Sequence, residues 1–374
     1  MLDPASASTE TEQMKNVFTK KRLIISAVCL LLVIASAVLL IAGSLIPGSL
    51  YSQQAAERWK ADNPLDFTQV SCFMPSTSAL SVSGVNEFRT AMMTKLHEAA
   101  LDIDNDSVLF SDAWSTNGKV DIACERSKTS AGVTAVGGSF FAFHPLKLMS
   151  GGYLSENDFM KDRVILDKEL AWYLFGGYDL VGMEVYINGV PFSISGVIDR
   201  EDDFASKKAY SGGMGLYMSY EGYAALIENE PGIECYELVL AESVDGFAQR
   251  VVEDKFPIGD GEIVINSGRF SYWNLLRAFL HSGTRSMRTT EAAYPYWENA
   301  ARYAEQVCMW LVAAGTALLI FPCVMLAIVI IKLLILGFGK LKAGLFPKAK
   351  DAVEEAVRKS KRKAWEKKQY KSRI

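Results

Sequence analysis

Two long apolar runs dominate the hydrophobic pattern of this chain, and a long stretch of mixed, water-compatible sequence separates them. The first run, Leu23–Ile46, contains no charged residue and follows a short basic cluster at residues 20–22. The second run, Val307–Ile331, is also uncharged and is followed by Lys332. Each run reaches the roughly 20 residues that a helix needs to cross a ~30 Å hydrocarbon core. The pattern therefore predicts transmembrane helices at residues 23–46 and 307–337, with one water-exposed module, residues 47–306, between them.

The distribution of charge predicts which side of the membrane the module faces. The tail Lys340–Ile374 contains 13 basic and four acidic residues, a local charge of +9, and the segment before the first run adds +1. When these charges and Lys332 are subtracted from the whole-chain charge of −4, about −15 remains for the module. Because basic flanks stay in the cytoplasm, we expect residues 1–22 and 338–374 inside the cell and the module outside. A cleaved signal peptide is the competing interpretation of the first run, but its apolar core would be only about 7–15 residues long.

The beginning and the end of the module show the same order of predicted elements. A strand at Leu65–Met74, a helix at Val85–Leu101 and a strand at Ser107–Trp114 follow one another. Asn117-Gly118 then predicts a hairpin turn into a further strand, Val120–Cys124. Near the end of the module a strand, a helix and a strand are predicted again, at Tyr236–Ala241, Val244–Phe256 and Glu262–Asn266.

The middle of the module carries the clearest local signals in the chain. Asp167 is placed to cap a helix at Lys168–Phe175, and Gly176-Gly177 supplies a left-handed stop. Asn188-Gly189 is a type I′ turn signal. Further predicted elements are a short helix that starts at the capping-box-like Ser155–Asp158, strands at Arg163–Leu166, Met183–Ile187 and Pro191–Val197, and a mobile charged loop at Asp199–Gly215.

Together these elements predict an α+β module carried on two transmembrane helices. The module contains two strand–helix–strand units with an inserted small α/β subdomain. Residues 51–61 are expected to extend the first span as a helix.

Consecutive stretches in the middle of the module resemble a known family. Their order and spacing are similar to those of the MacB-type periplasmic core domain, which occurs in ABC transporter permeases of the MacB/FtsX-like group. The sequence differs from the family at Gly151-Gly152, where the family has Gly-Arg, and in its two predicted spans, where the group usually has four. The stretches that carry the resemblance are Phe143–Asp158, Val164–Leu166, Glu169–Gly176 and Val181–Val197.

The resemblance implies a non-catalytic, permease-like subunit of an ABC transporter or of an envelope mechanotransmission system. Its partners would be a cytoplasmic ABC-type ATPase on a separate chain, and either another permease chain or further copies of this chain. Residues 49–61 and 290–307 would be the stalks that carry movement between the membrane and the outer domain. The alternative is a stand-alone, membrane-anchored envelope scaffold or sensor without transport.

Motifs of the common catalytic chemistries are absent from the sequence. There is no G-x-x-x-x-G-K-[ST] motif, so ATP hydrolysis would have to come from another chain. His97, His144 and His281 are scattered, and ordinary structural roles are expected for them. Asp102–Asp106 imitates the start of a calcium loop, but Ser107 and Ala113 stand where such a loop needs Gly and Glu. We therefore expect no catalytic, cofactor or metal site and no enzymatic activity.

The cysteines of the module leave the thiol state open. Cys72, Cys124 and Cys235 are an odd number and lack the C-x-x-C spacing of a zinc site. One disulfide and three free thiols fit the sequence equally well.

Two segments of the module, one aromatic and one acidic, allow more than one interpretation. The segment Tyr294–Arg302 is either an interfacial aromatic belt or a contact with a partner. The acidic run Asp199, Glu201, Asp202 and Asp203 is either a solvated loop or a site for a cationic peptide.

The basic tail forms an amphipathic helical pattern. We expect the tail to bind anionic lipid headgroups, with docking on a cytoplasmic ATPase as the alternative. Nucleic acid is not expected as a partner, because the anionic membrane lies beside these basic residues.

Overall fold

Two long helices contain the apolar runs. The structure, a computed structural model, describes residues 4–60, 65–99, 109–155, 158–210, 213–242, 244–281 and 292–371. Helix α1 is Pro4–Leu45 and helix α10 is Tyr296–Lys371. Two stretches are long and apolar enough to cross a membrane: Lys20–Ser49, which continues past the end of α1, and Tyr296–Ile335 within α10. The chain divides into two compact units, one made of Met1–Val38 with Ala314–Ile374 and the other of Leu39–Ala313.

The unit Leu39–Ala313 contains the mixed α/β fold that the sequence predicts. Its strands are β1 Asp66–Phe73, β2 Phe110–Ala123, β3 Lys128–Gly138, β4 Lys147–Gly151, β5 Arg163–Asp167, β6 Glu184–Ile187, β7 Val190–Asp199, β8 Gly215–Ser219, β9 Cys235–Glu242 and β10 Glu262–Ile265. Its helices, before α10, are α2 Ala55–Lys60, α3 Val82–Glu98, α4 Phe140–Phe143, α5 Lys168–Phe175, α6 Ser206–Ala209, α7 Tyr220–Ala224, α8 Phe247–Lys255 and α9 Tyr272–Leu280.

The two predicted strand–helix–strand units interleave in one sheet. The strand order is β10-β1-β9-β2-β3-β8-β5-β7-β4, and β6 pairs with β2 and β7. Strand β9 of the second unit lies between β1 and β2 of the first, and β1 lies between β9 and β10. This is the split β-α-β arrangement. Helices α3 and α8 pack against the buried side of these strands, where Phe88 meets Tyr236 and Phe256 edge-on.

The inserted subdomain forms as its local signals predict. The backbone N–H of Leu170 donates to Oδ1 of Asp167 at 2.7 Å, so Asp167 caps α5. Gly176 ends α5 with φ +70°. Asn188 and Gly189 have φ values of +49° and +84°, as a type I′ turn requires. A second apolar cluster fills the space between β5–β8 and α5, separate from the main cluster under β1 and β9.

The hairpin turn predicted at Asn117-Gly118 is wrong. Both residues lie inside the long strand β2, opposite Thr134 and Val133 of β3. The turn of this hairpin lies at residues 124–127, where the N–H of Cys124 donates to the carbonyl of Ser127. Glycine is needed at position 118 for another reason, because a Cβ there would lie 1.9 Å from the hydroxyl oxygen of Tyr223.

The segment after the first apolar run is not the continuous helix expected at residues 51–61. Helix α1 ends at Leu45, and two 3-10 turns, Ile46–Ser49 and Tyr51–Gln53, lead into the short α2. Pro47 explains the break, since it lacks an N–H and its ring clashes with the carbonyl four residues before it. We call residues 46–60 the linker.

One local prediction in the middle of the module is also corrected. The N–H of Asp158 donates to the carbonyl of Ser155, which closes a turn, and no helix follows among residues 158–162. Glu156 and Asn157 lie outside the described residues.

The charged loop predicted at Asp199–Gly215 contains the short helix α6, and its Arg200 guanidinium pairs with Asp167. Ser211 and Gly212 lie outside the described residues, and the mobility of the loop stays a prediction.

Candidate functional site

The linker is fixed to the sheet by the side chain of Gln69, a fully buried residue of β1. Its amide N–H donates to the carbonyl of Ser52 at 2.7 Å, and its Oε1 accepts from the N–H of Ala55 at 2.9 Å. On the outer side of the linker, Arg58 donates to the carbonyls of Tyr51, Ala142 and Phe143. These hydrogen bonds therefore hold the linker against the sheet directly after the first apolar run.

Arg269, in the loop after β10, is the centre of a buried group of charges. Its Nη1 and Nη2 donate to the two carboxylate oxygens of Glu298 at 2.9 and 3.1 Å, a bidentate pair. Its Nε donates to Glu305 at 2.9 Å, and its Nη1 lies 3.4 Å from Oε1 of Gln53 in the linker. The three side chains Gln53, Glu298 and Glu305 come from the linker and from α10. Arg269 thus joins both chain segments that connect the module to the apolar runs.

A second arginine extends this group along α10. The Nε of Arg302 donates to Glu298 at 2.7 Å, and its Nη2 donates to Glu262 of β10 at 2.9 Å. Its guanidinium carbon lies 3.9 Å from the centre of the Tyr294 ring. The hydroxyl of Tyr294 donates to the same Glu262 carboxylate.

On the other side, a chain of polar side chains runs from Gln53 into the sheet. Asn266 donates to Oε1 of Gln53 at 3.0 Å, and the hydroxyl of Ser71 lies 3.0 Å from both Asn266 and Glu237. Glu237 in turn lies 2.5 Å from Nε2 of the buried His144. We call the set Gln53, Ser71, His144, Glu237, Glu262, Asn266, Arg269, Glu298, Arg302 and Glu305 the junction network.

Electrostatics favour the paired state of the two arginines in the junction network. Burial alone would lower the pKa of Arg269, but the adjacent Glu298 and Glu305 carboxylates outweigh it and raise the pKa. The same balance, with Glu298 and Glu262 as the partners, raises the pKa of Arg302. Both guanidinium groups therefore stay charged. A buried charge that loses its partner is strongly unfavourable, so the network resists separation of its members.

Between the junction network and the apolar runs, small and apolar residues pack the chain after α1 against α10. Leu50 of the linker shares a buried cluster with Ala300 and Ala304 of α10. The thiol of Cys308 lies 3.4 Å from the carbonyl oxygen of Gly43, and a Cβ on Gly43 would lie 3.6 Å from Leu311. The end of α1 and the start of α10 thus touch at close range in the unit Leu39–Ala313.

A polar cavity of about 610 Å³ lies beside the first turn of α10. Tyr210, Tyr217 and Tyr296 line it, and the rings of Tyr210 and Tyr296 stack with centroids 4.3 Å apart. The hydroxyl of Tyr210 donates to Glu201 at 2.5 Å. Burial, with Glu201 as a further cause, raises the pKa of these phenols, so they stay protonated and act as hydrogen-bond donors. The lining also contains two basic and two acidic side chains, Lys119, Arg200, Asp167 and Glu234.

The three histidines, for which ordinary structural roles are expected, lie in different places. His97 and His281 are exposed, and His144 is buried in the junction network. Among the described residues, no group of His, Cys, Asp and Glu side chains is arranged to hold a metal ion. Asp102–Asp106 lies outside the described residues.

The structure shows the state of the three cysteines and the contacts of the acidic run. Cys72, Cys124 and Cys235 are free thiols in this structure. In the acidic run, Asp203 accepts from the N–H groups of Ala205 and Ser206, and Glu201 accepts from tyrosines. Asp202 is the exposed member. Most of the acidic run is therefore engaged in hydrogen bonds with other residues of the module.

The structure contradicts the interfacial-belt interpretation of the aromatic segment Tyr294–Arg302, and the contact with a partner stays a prediction. Trp297 is 2% exposed and packs against Phe140 and His144, inside the main cluster of the module. Tyr294 and Tyr296 pack against the same cluster. The aromatic composition of this segment reflects the core of the module, because the first turns of α10 are a core helix before they reach the apolar run.

The junction network could not be derived from the sequence beyond one short-range signal. Glu298 and Arg302 are spaced i,i+4, as a helical ion pair requires. Nothing in the sequence links this pair with Arg269, Glu262 or Gln53, because the partners come from distant elements.

Comparisons with known proteins give one family and several structures. The sequence profile of the family described as the MacB-like periplasmic core domain matches residues 25–252. The periplasmic region of MacB from Actinobacillus actinomycetemcomitans is 18% identical, with a TM-score of 0.40 over 54% of this chain and 89% of that chain. The extracellular domain of the noncanonic ABC-type transporter YknZ from Gram-positive bacteria is 16% identical, with a TM-score of 0.32 over 50% of this chain and 94% of that chain.

A third structure is a domain of a permease protein from Porphyromonas gingivalis. It is 10% identical, with a TM-score of 0.32 over 53% of this chain and 88% of that chain. No curated protein matches the sequence.

Proposed function

This chain belongs to the family of MacB-like periplasmic core domains, and from that membership we propose that it is a non-catalytic, permease-like subunit of an ABC transporter or envelope mechanotransmission system. The match to residues 25–252 is the observation that carries the proposal, since it includes the first apolar run as well as most of the module. The ATPase would be a separate cytoplasmic chain, and the membrane part would be completed by another permease chain or by further copies of this one.

The junction network supports a mechanical role. Glu298, Arg302 and Glu305 lie on α10, and Arg269 binds two of them from the loop after β10. A shift of α10 in the module would therefore have to carry Arg269 with it or break buried ion pairs. Because breaking a buried pair is costly, the sheet edge is expected to follow the helix.

The placement in the membrane is part of the same proposal. We assign residues 23–46 and 307–337 to the two spans, residues 47–306 to the extracytoplasmic side, and residues 1–22 and 338–374 to the cytoplasm. The excess of basic residues in the tail supports this orientation and a contact with anionic lipid headgroups.

Isolation of the intact complex tests the proposal. The full chain, tagged at its C-terminus, is extracted from its native membrane into a gentle detergent and purified, and the accompanying chains are identified by mass spectrometry. We expect a chain with a G-x-x-x-x-G-K-[ST] motif to co-purify, and the complex to hydrolyse ATP.

A matched preparation in a harsh detergent serves as the control, because it should release the ATPase and leave this chain without ATP hydrolysis. Recovery of this chain alone from several gentle detergents would contradict the transporter proposal. That result would favour the stand-alone scaffold or sensor.

A further inference from the structure

Helix α9, Tyr272–Leu280, has a buried side that packs against the chain close to the apolar runs. Leu275 and Ala278 form a buried cluster with Cys308, Met309 and Val312 of α10, and Leu40 of α1 packs against the same cluster. Leu40 lies inside the first apolar run, and Met309 and Val312 lie inside the second. Helix α9 is therefore placed at the level where the two runs meet the module.

The opposite side of α9 is also apolar and faces outward. Trp273 is 71% exposed and Leu280 is 73% exposed. They are seven residues apart, which places them about two turns apart on one side of the helix. Half-buried Leu276 and exposed Arg277 lie between them on that side. Large exposed apolar residues at helical spacing are typical of a surface that contacts another apolar phase.

A neighbouring tryptophan continues this apolar side onto α10. Trp310 lies in the second apolar run, is 56% exposed, and its ring contacts Phe279 of α9 with centroids 5.2 Å apart. Phe279 is half-buried and lies on α9 between its buried side and its outward side, next to Leu276. The apolar surface of the second run therefore meets the outward side of α9 at Phe279.

We propose that α9 is an interfacial helix that inserts Trp273 and Leu280 into the outer leaflet of the bilayer. Tryptophan favours this boundary because its ring is apolar while its N–H can reach the headgroups. An amphipathic helix buries its apolar side at the boundary between headgroups and acyl chains. Trp310 lies on the second candidate span, and the surface of a span faces lipid. The contact with Trp310 therefore indicates that lipid also covers the outward side of α9. The inference depends on the two spans and is independent of any ATPase partner.

Quenching of tryptophan fluorescence by brominated lipid tests the inference. The full chain is reconstituted into vesicles of phosphatidylcholine, with and without bromine on the acyl chains, as wild type and as Trp273→Phe. The difference between the two spectra reports Trp273. We expect this difference signal to be lost in brominated lipid, and bromines near the headgroup to quench it more than bromines near the chain end.

Trp172→Phe is the matched control, because Trp172 is an exposed tryptophan on α5 of the inserted subdomain. Its difference signal should be the same in both lipids. If the Trp273 signal is also unchanged by bromine, α9 does not enter the bilayer and the inference is overturned. A protein partner would then be the remaining occupant of this surface. The purified chain alone suffices, so the result does not depend on the outcome of the co-purification.

Discussion

Arg269 is a buried residue whose charge is balanced by its neighbours. It is bound to two carboxylates and is almost fully buried. Replacement of Arg269 by Met keeps most of the side-chain volume but removes the cation that Glu298 and Glu305 share. The expected effect is large, because removing one partner of a buried ion pair costs about 3–5 kcal/mol.

We expect Arg269→Met to lower the free energy of unfolding of the module by about 3–5 kcal/mol. Denaturant unfolding of the purified chain in detergent measures this change. The control is Asp66→Asn, which removes an ion pair with Lys60. The Lys60 side chain is 58% exposed and the Asp66 side chain is 72% exposed. That change should cost less than about 1 kcal/mol. Equal effects of both variants would show that the junction network does not stabilise the module.

Gly118 offers a second test at the scale of one residue. A Cβ at this position would lie 1.9 Å from the hydroxyl oxygen and 2.7 Å from the ring carbon of Tyr223. We expect Gly118→Ala to destabilise the module by about 1–3 kcal/mol, the usual cost of overpacking. Gly152→Ala is the control, since nothing lies within 4 Å of its Cβ position. The same unfolding measurement compares both, and a neutral Gly118→Ala would contradict the placement of residue 118 inside β2.

The buried thiols give a chemical prediction. Burial is the main cause that raises the pKa of the Cys72 and Cys235 thiols, and Glu237 raises both further. Because the thiolate is the reactive form, neither cysteine should react with iodoacetamide at pH 8 until the chain is unfolded. Peptide mass spectrometry before and after denaturation checks this expectation. Rapid labelling of either cysteine in the folded chain would show that β1 and β9 are more accessible than described.

At the scale of elements, two identical dipeptides show what local sequence can and cannot predict. Asn188-Gly189 forms the turn that its sequence predicts, whereas Asn117-Gly118 lies in the middle of β2. In the second case the Asn117 side chain and N–H bind Glu234, and Tyr223 packs over Gly118. Contacts with distant residues therefore override a local preference that is correct elsewhere in the same chain.

The order of the elements was predictable, but the partners of the polar side chains were not. Hydrophobic spacing locates the strand–helix–strand units and the capped helix α5, because those signals are local. The junction network joins Gln53, Arg269 and Glu298, which are far apart in sequence. The aromatic segment around Trp297 was misinterpreted for the same reason, since its packing partners lie on α4 and β8.

The contact between the end of α1 and the start of α10 can be tested with a disulfide. The Cβ position of Gly43 lies 3.6 Å from the Cβ of Leu311, within the Cβ–Cβ range in which cysteine pairs can bond. We expect Gly43→Cys combined with Leu311→Cys to form a disulfide on oxidation. Mass spectrometry of linked peptides measures the bond, and reduction should remove it.

Gly48→Cys is the matched control for the cross-link, because nothing lies within 4 Å of the Cβ position of Gly48. Combined with Leu311→Cys, it should remain unlinked under the same oxidation. If Gly43→Cys and Leu311→Cys fail to link while the chain is folded, the contact between the two helices is absent.

At the scale of the whole molecule, the proposed topology predicts which positions can be reached from outside the cell. Phe159→Cys lies at an exposed position of the module, and Val353→Cys lies at an exposed position of the tail. We expect a membrane-impermeant maleimide to label Phe159→Cys in intact cells and Val353→Cys only after permeabilisation. The positive-inside bias of the tail is the physical reason. Labelling of both in intact cells would place the tail outside.

The interleaved sheet also has a consequence for biogenesis. Both strand neighbours of β1, β9 and β10, are synthesised long after it, since Asp66 pairs with Glu242 and Val70 with Ile265. When β1 has been translocated, its apolar residues Val70, Cys72 and Phe73 have no strand to pair with. Sheets that depend on such distant pairing form slowly and expose aggregation-prone edges meanwhile. The sheet around β1 can therefore close only after nearly all of the module has been synthesised.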